Sequence, residues 1–207
     1  MFINRGQNDK NMNNIQVLYD EMMAKEIISN RILSALPLGE NRDIIIVCIG
    51  TDRSTGDALG PLTGTFLQEK LLRYFNVYGT LDQPIHALNL AEKIDEIYSQ
   101  HHNPFLIAID ACLGKTESIG KIQIGEGPVK PGAGVHKELP AVGDMHITGI
   151  VNMSGFMEFT VLQNTRLNLV LRMAKTIASG INRAHLRLHY EHSILSMNQQ
   201  HSRENTI

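Results

Sequence analysis

Ile44 to Ile49 is an unbroken run of β-branched and apolar residues, the pattern of a strand buried on both faces. It stops at Gly50, and the next residues are mostly polar, small or glycine. Apolar positions resume at Leu62, Phe66, Leu67 and Leu71, a helical spacing that predicts a helix over about 60–74. Phe105 to Ile109 repeats the buried-strand pattern and runs directly into Asp110. Between them, Leu90, Ile94 and Ile97 share one helical face, and either 77–81 or 85–88 is a strand whose place the pattern leaves open. Residues 120–125 alternate apolar and polar, as an edge or half-exposed strand does, and 147–151 predicts a last short strand. A long helix through Ser179 follows, with Phe156, Phe159, Leu162, Val170, Met173 and Ile177 inward. Asn152 or Ser154 is its expected cap and Gly180 its expected stop.

Strands alternating with helices predict an α/β fold with a mostly parallel central sheet. Upstream, apolar residues at Ile15, Leu18, Met22, Ile28, Ile32 and Leu36 predict one or two helical segments closed by Pro37 and Gly39. Residues 125–144, with Gly125, Gly127, Gly132, Gly134, Gly143 and three prolines, read as a long loop of the kind that is functional or mobile. The expected division is a polar leader and helical arm over 1–40, one α/β/α domain over 41–182 and a disordered tail over 183–207.

Composition narrows the class. The chain has 207 residues, 43% hydrophobic and 19% charged, which suits one globular domain with a full core. A net charge of −2 gives no electrostatic reason to expect nucleic acid or an acidic membrane as partner. No apolar stretch approaches the length of a membrane helix, and the Asn-rich start lacks the pattern of a signal peptide. Cys48 and Cys112 lie in apolar settings near strand ends, which suggests two reduced thiols and a cytoplasmic location.

In open α/β sheets, ligands collect at the carboxyl ends of the strands, and two such ends carry aspartates. Asp57 stands in the turn after the first strand and Asp110 at the tip of the second. Two carboxylates sharing a partly desolvated site cannot both ionise easily, so one can donate a proton while the other activates water. The same pair can instead hold a divalent metal completed by a histidine, or each aspartate can merely cap a helix or turn. Asp52, Arg53, Thr55 and His146 are the candidate substrate-binding residues, Arg53 either meeting a substrate carboxylate or standing solvated. Cys112 reads as an apolar filler rather than a nucleophile, and the histidines at 185, 189 and 192 as solvated.

The string Ile-Gly-Thr-Asp-Arg-Ser-Thr-Gly-Asp-Ala-Leu-Gly-Pro from Ile49 resembles the signature of the YyaC-type sporulation proteins of endospore-forming Firmicutes. Later blocks, Ala-Ile-Asp-Ala-Cys-Leu-Gly, Gly-Ala-Gly-Val-His-Lys-Glu-Leu-Pro and Gly-Ile-Val-Asn-Met-Ser-Gly-Phe-Met-Glu-Phe, resemble that family in the same order, covering about residues 40–182. The family is similar to the spore germination protease, which degrades small acid-soluble spore proteins, and more distantly to the hydrogenase maturation proteases. The resemblance implies a three-layer α/β/α sandwich of the phosphorylase/hydrolase-like kind. It also implies catalytic roles for Asp57 and Asp110, a peptide or spore-protein substrate, and a mother-cell or forespore cytoplasm. No cofactor is implied beyond the divalent metal that acidic residues at these two positions contact in the hydrogenase proteases with a downstream histidine as third, a position that His136 or His146 can match here. Gly56 replaces the protease's proline, which is expected to loosen the turn, and the chain is much shorter than the germination protease. Both departures favour the alternative of a non-catalytic binding or regulatory protein on the same fold, with homo-oligomerisation left open.

Overall fold

In the computed structural model, which describes residues 14–38, 40–132 and 139–204 (side chains to Ile194, His192 excepted), six strands form one sheet. They are β1 (Asn14–Leu18), β2 (Ile44–Cys48), β3 (Phe75–Tyr78), β4 (Phe105–Gly114), β5 (Lys121–Glu126) and β6 (Met145–Met153). Across the sheet they stand in the order β1-β5-β6-β4-β2-β3. The β3-β2-β4-β6 portion is parallel, and β5 and β1 extend it antiparallel. The helices are α1 (Ala24–Ala35), α2 (Leu59–Gln68), α3 (Leu90–Gln100), α4 (Glu158–Gln163) and α5 (Leu167–Glu204).

The alternation of strand residues splits the core in two. Ile46 and Cys48 of β2 face a cluster built with α1, α2 and α5, while Ile45, Val47 and Ile49 face a smaller one built with α3. This is the expected α/β/α sandwich. The chain leaves β2 through α2 on one face to reach β3, then crosses through α3 on the other face to reach β4. β2 therefore lies at the point where the winding reverses, and a crevice opens there at its carboxyl end.

Several expectations are corrected. Ile15 and Leu18 belong to edge strand β1, not to a helix, and β1 pairs from Asn14↔Gly125 to Leu18↔Lys121. β5 is consequently not an edge strand. The stretch expected as a leader and arm joins the sheet and core through β1 and α1, whose Ile28 and Ile32 are fully buried; residues 1–13 lie outside the described part. The single long helix after β6 is two helices. Phe156 and Phe159 are exposed rather than inward, because Met157 takes a left-handed conformation (φ 61°) and reorients the chain before α4. Asn152 caps nothing; its amide nitrogen donates to Val161 O and Thr165 Oγ1 at 3.1 Å each, tying β6 to α4 and the turn that follows it.

The segment from 183 onward, expected to lack order, continues α5 to Glu204. Its polar composition conceals Ala184 and Leu188, four residues apart and buried in the main core. His185 is not solvated: it is 8% exposed, and its Nε2 accepts the Arg73 N–H at 3.0 Å. Arg183 and Arg187 pair with Glu26 of α1.

Gly180 does not stop the helix but lets α5 cross α1 closely, since a Cβ there would come within 2.7 Å of Ile28 Cβ. Gly180→Leu improves helix propensity yet overpacks this crossing. We expect a net loss of about 1–3 kcal/mol, seen as a lower urea midpoint; an unchanged or raised midpoint would contradict the packing role.

Candidate active site

The parallel register decides where the first carboxyl lies. Cys48 is opposite Ile109, and the Ile49 N–H still reaches Ile109 O at 2.7 Å. The chain then turns away: Gly50 N–H donates to Ile85 O at 2.7 Å, beside a parallel Ile49↔Ile85 bridge. β4 continues to Gly114 with only β6 beside it, Asp110 standing opposite Thr148. Asp110 is thus not at a strand tip. It sits inside a strand, just past the end of its neighbour, and on the α3 face that it shares with Leu106 and Ala108.

Asp57 arrives from the other side of the crevice. The 50–57 loop closes on itself through Thr51 N–H to Asp57 O at 3.2 Å, and α2 begins at Leu59 with Ala58 in the cap position. No side chain caps that helix, so Asp57 is not an N-cap. A Cβ at Gly60 would fall 2.0 Å from Ile49 O, so only glycine lets the first turn of α2 sit against the end of β2.

Both aspartates line one cavity of about 310 Å³. Its polar wall adds Thr51, Arg53, Ser54 and His86; Leu88, Leu139, Phe159 and Leu162 form the apolar side. Pro131 and Gly132, from the described part of the long glycine-rich stretch, also line it. Burial pushes the Asp110 carboxyl well above the usual carboxylate range, the Ala111 N–H bond to its Oδ1 (2.9 Å) opposes this, and the charge of Asp57 adds to it. Asp57 is also raised by burial, opposed by the nearby Ser54 hydroxyl, but it is less enclosed and ionises first. The Ser54 hydroxyl is 4% exposed and completes no hydrogen bond of ordinary geometry among the described residues. A neutral Asp110 beside an ionisable Asp57 can donate and accept a proton within one site.

The remaining candidates separate. Arg53 lines the cavity; Asp52 and Thr55 do not. His146 lies in β6 rather than in the loop, opposite Ala108 and Gly125, with its Nδ1 2.9 Å from Gly127 O, and is not part of the lining. His136 lies outside the described residues. Cys112 lines the cavity, but burial raises its thiol to about 11, leaving it un-ionised near neutrality. Among the described residues no three His, Cys, Asp or Glu side chains are grouped to hold a metal ion.

His86 and the α4 residues Phe159, Leu162 and Gln163 were missed in the sequence. His86 lies in a short apolar piece with no motif around it, and the left-handed Met157 that aims α4 has no hydropathy signal.

These features define an α/β/α chain with a buried aspartate and a half-buried one lining a cavity at the carboxyl edge of its parallel strands. The chain belongs to the family described as "Protein of unknown function (DUF1256)", whose model matches residues 16–180. It is 55% identical over 166 residues to the "Uncharacterized protein YyaC" of Bacillus subtilis (strain 168), covering 80% of this chain and 81% of that protein. A solved structure, a [NiFe] hydrogenase maturation protease HycI from Thermococcus kodakarensis KOD1, is similar at 18% identity over 73% of this chain and 99% of its own, with a TM-score of 0.43. Among the described residues no helix is long and apolar enough to cross a membrane.

The raised Asp110 carboxyl makes stability pH-dependent. The folded state holds a proton that the unfolded chain releases above about pH 4, so stability falls as pH rises from there through the folded-state pKa. Asp110→Asn keeps an acceptor for the Ala111 N–H and removes the burial of an ionisable group. It should unfold at higher urea than the wild type at pH 8, the advantage fading towards pH 4. An equal gap at both pH values would contradict a shifted Asp110.

Proposed function

We propose that this protein is a peptidase of sporulating cells, working in the cytoplasm of the mother cell or forespore on a peptide or spore protein. The observation that carries this reading is the pairing in one cavity of Asp110, kept protonated by burial, with Asp57, which ionises first. The Asp57 carboxylate takes a proton from a water while that oxygen bonds to the substrate carbonyl carbon. The carbonyl π pair moves to its oxygen, which receives the Asp110 proton. The resulting gem-diol collapses as Asp110 recovers a proton and the departing nitrogen takes the one held by Asp57, so the C–N bond breaks and the pair returns to its starting state. The resemblance to germination proteases supports peptide bonds as the target, and the apolar wall of Leu88, Leu139, Phe159 and Leu162 suits the side chain of an unfolded segment.

Incubation with small acid-soluble spore proteins, read by intact-mass spectrometry, tests this. The wild type should give discrete cleavages, and Asp57→Asn and Asp110→Asn should each slow them by about a thousandfold or more while remaining folded. The rate should be bell-shaped in pH, falling on the acid side as Asp57 protonates and on the alkaline side as Asp110 ionises. Either amide variant cleaving at the wild-type rate overturns the mechanism. Absence of any cleavage favours the non-catalytic alternative, a binding protein that keeps the crevice.

A further inference from the structure

We propose that His86 is a further catalytic residue of this site, its ring Nε2–H donating to the oxygen of the carbonyl under attack. The role rests on the peptidase reading above. The proposal begins with the backbone, because the 84–90 turn is tied from several directions. Ile85 O accepts from Gly50 N–H at 2.7 Å, His86 N–H donates to Asn89 Oδ1 at 2.8 Å, and His86 O accepts from Asn89 N–H at 3.0 Å and Leu90 N–H at 2.9 Å. The Asn89 amide also donates back to Pro84 O at 3.1 Å. These bonds fix the backbone from which the ring projects, and a preorganised donor costs less reorganisation when charge develops.

The ring's own contact settles its tautomer. Leu88 N–H donates to His86 Nδ1 at 3.3 Å, so Nδ1 presents a lone pair and the hydrogen resides on Nε2. Among the described residues Nε2 meets no protein acceptor, although the half-buried ring lines the cavity that holds Asp57 and Asp110. Because the ring lines the cavity, its Nε2–H can reach an acceptor that enters there. A carbonyl oxygen has two lone pairs. The Asp110 O–H takes one and the His86 N–H the other, and as the π pair moves to oxygen both hydrogen bonds strengthen. His86 keeps its proton throughout, so the proton count of the reaction is unchanged.

Three variants and one spectrum test this. His86→Leu and His86→Phe remove the donor with apolar side chains of comparable size, while His86→Gln restores an N–H. With the spore protein that the wild type cleaves, kcat should fall about a hundredfold in the Leu and Phe variants with KM little changed, and the Gln variant should recover most of the loss. Using two apolar variants, each checked by its melting temperature, keeps the test decisive if one fails to fold. Independently, nitrogen-15 spectra of histidine-labelled protein should show His86 protonated on Nε2 and bare on Nδ1. Wild-type kcat in a folded Leu or Phe variant, or a proton on Nδ1, overturns the role of His86 while the aspartate reading stands. A wild type that cleaves nothing removes the reaction and the role together.

Discussion

The site depends on a mismatch in strand length within a parallel sheet. β2 turns away at Gly50 while β4 continues beside β6, so the stretch of β4 from Asp110 onward has lost one of its two neighbours. A carboxyl at that position is held by strand geometry yet opens onto a crevice rather than onto another strand. Burial by the sheet on one side and α3-side packing on the other is what holds its proton at a pH where a free aspartate would have lost it. The facing wall follows from this same turn: Gly50 N–H reaches across to Ile85 O and so fixes where His86 begins. One short strand thereby brings Asp110, Asp57 and His86 to line a common cavity.

The 50–57 loop shows how a residue that looks permissive can be restrictive. Gly56 suggests a loosened turn when compared with a proline at that position, but its N–H donates to Leu162 O at 2.9 Å, and a Cβ there would lie 2.7 Å from Leu162 Cδ2. A proline would lose the hydrogen bond and collide with α4. Gly56 is the point where the loop bearing Asp57 docks onto α4, whose Phe159, Leu162 and Gln163 close the cavity. The departure from the protease pattern therefore marks a different brace for the same aspartate, and does not count against a rigid site.

The sheet and the acid pair were legible in the sequence because each rests on local signals. Fully buried strands declare themselves as apolar runs; Asp110 follows one directly and Asp57 stands in the polar turn after the other. What the sequence concealed is tertiary. Edge strand β1 carries one buried residue in five, Val17, so no periodicity marks it as strand. The extension of α5 buries Ala184, His185 and Leu188 inside a stretch whose composition is polar. Gly180 reads as a stop until α1 is seen pressed against it. His86 acquires its place only when β2 and the 84–90 turn are brought together, which no spacing along the chain reveals.

The electrostatics of the pair argue for use rather than architecture. A structural role for Asp110 would be served better by asparagine, which accepts the same Ala111 N–H and has no charge to lose solvation. Retaining an ionisable group there costs stability at neutral pH, and the proximity of Asp57 raises that cost further. Ser54 adds to the same pattern, a hydroxyl enclosed beside Asp57 with its hydrogen-bonding capacity unfilled among the described residues. A polar group that enters the cavity meets Asp57, Asp110, Ser54 and His86 together, on a wall opposite apolar side chains.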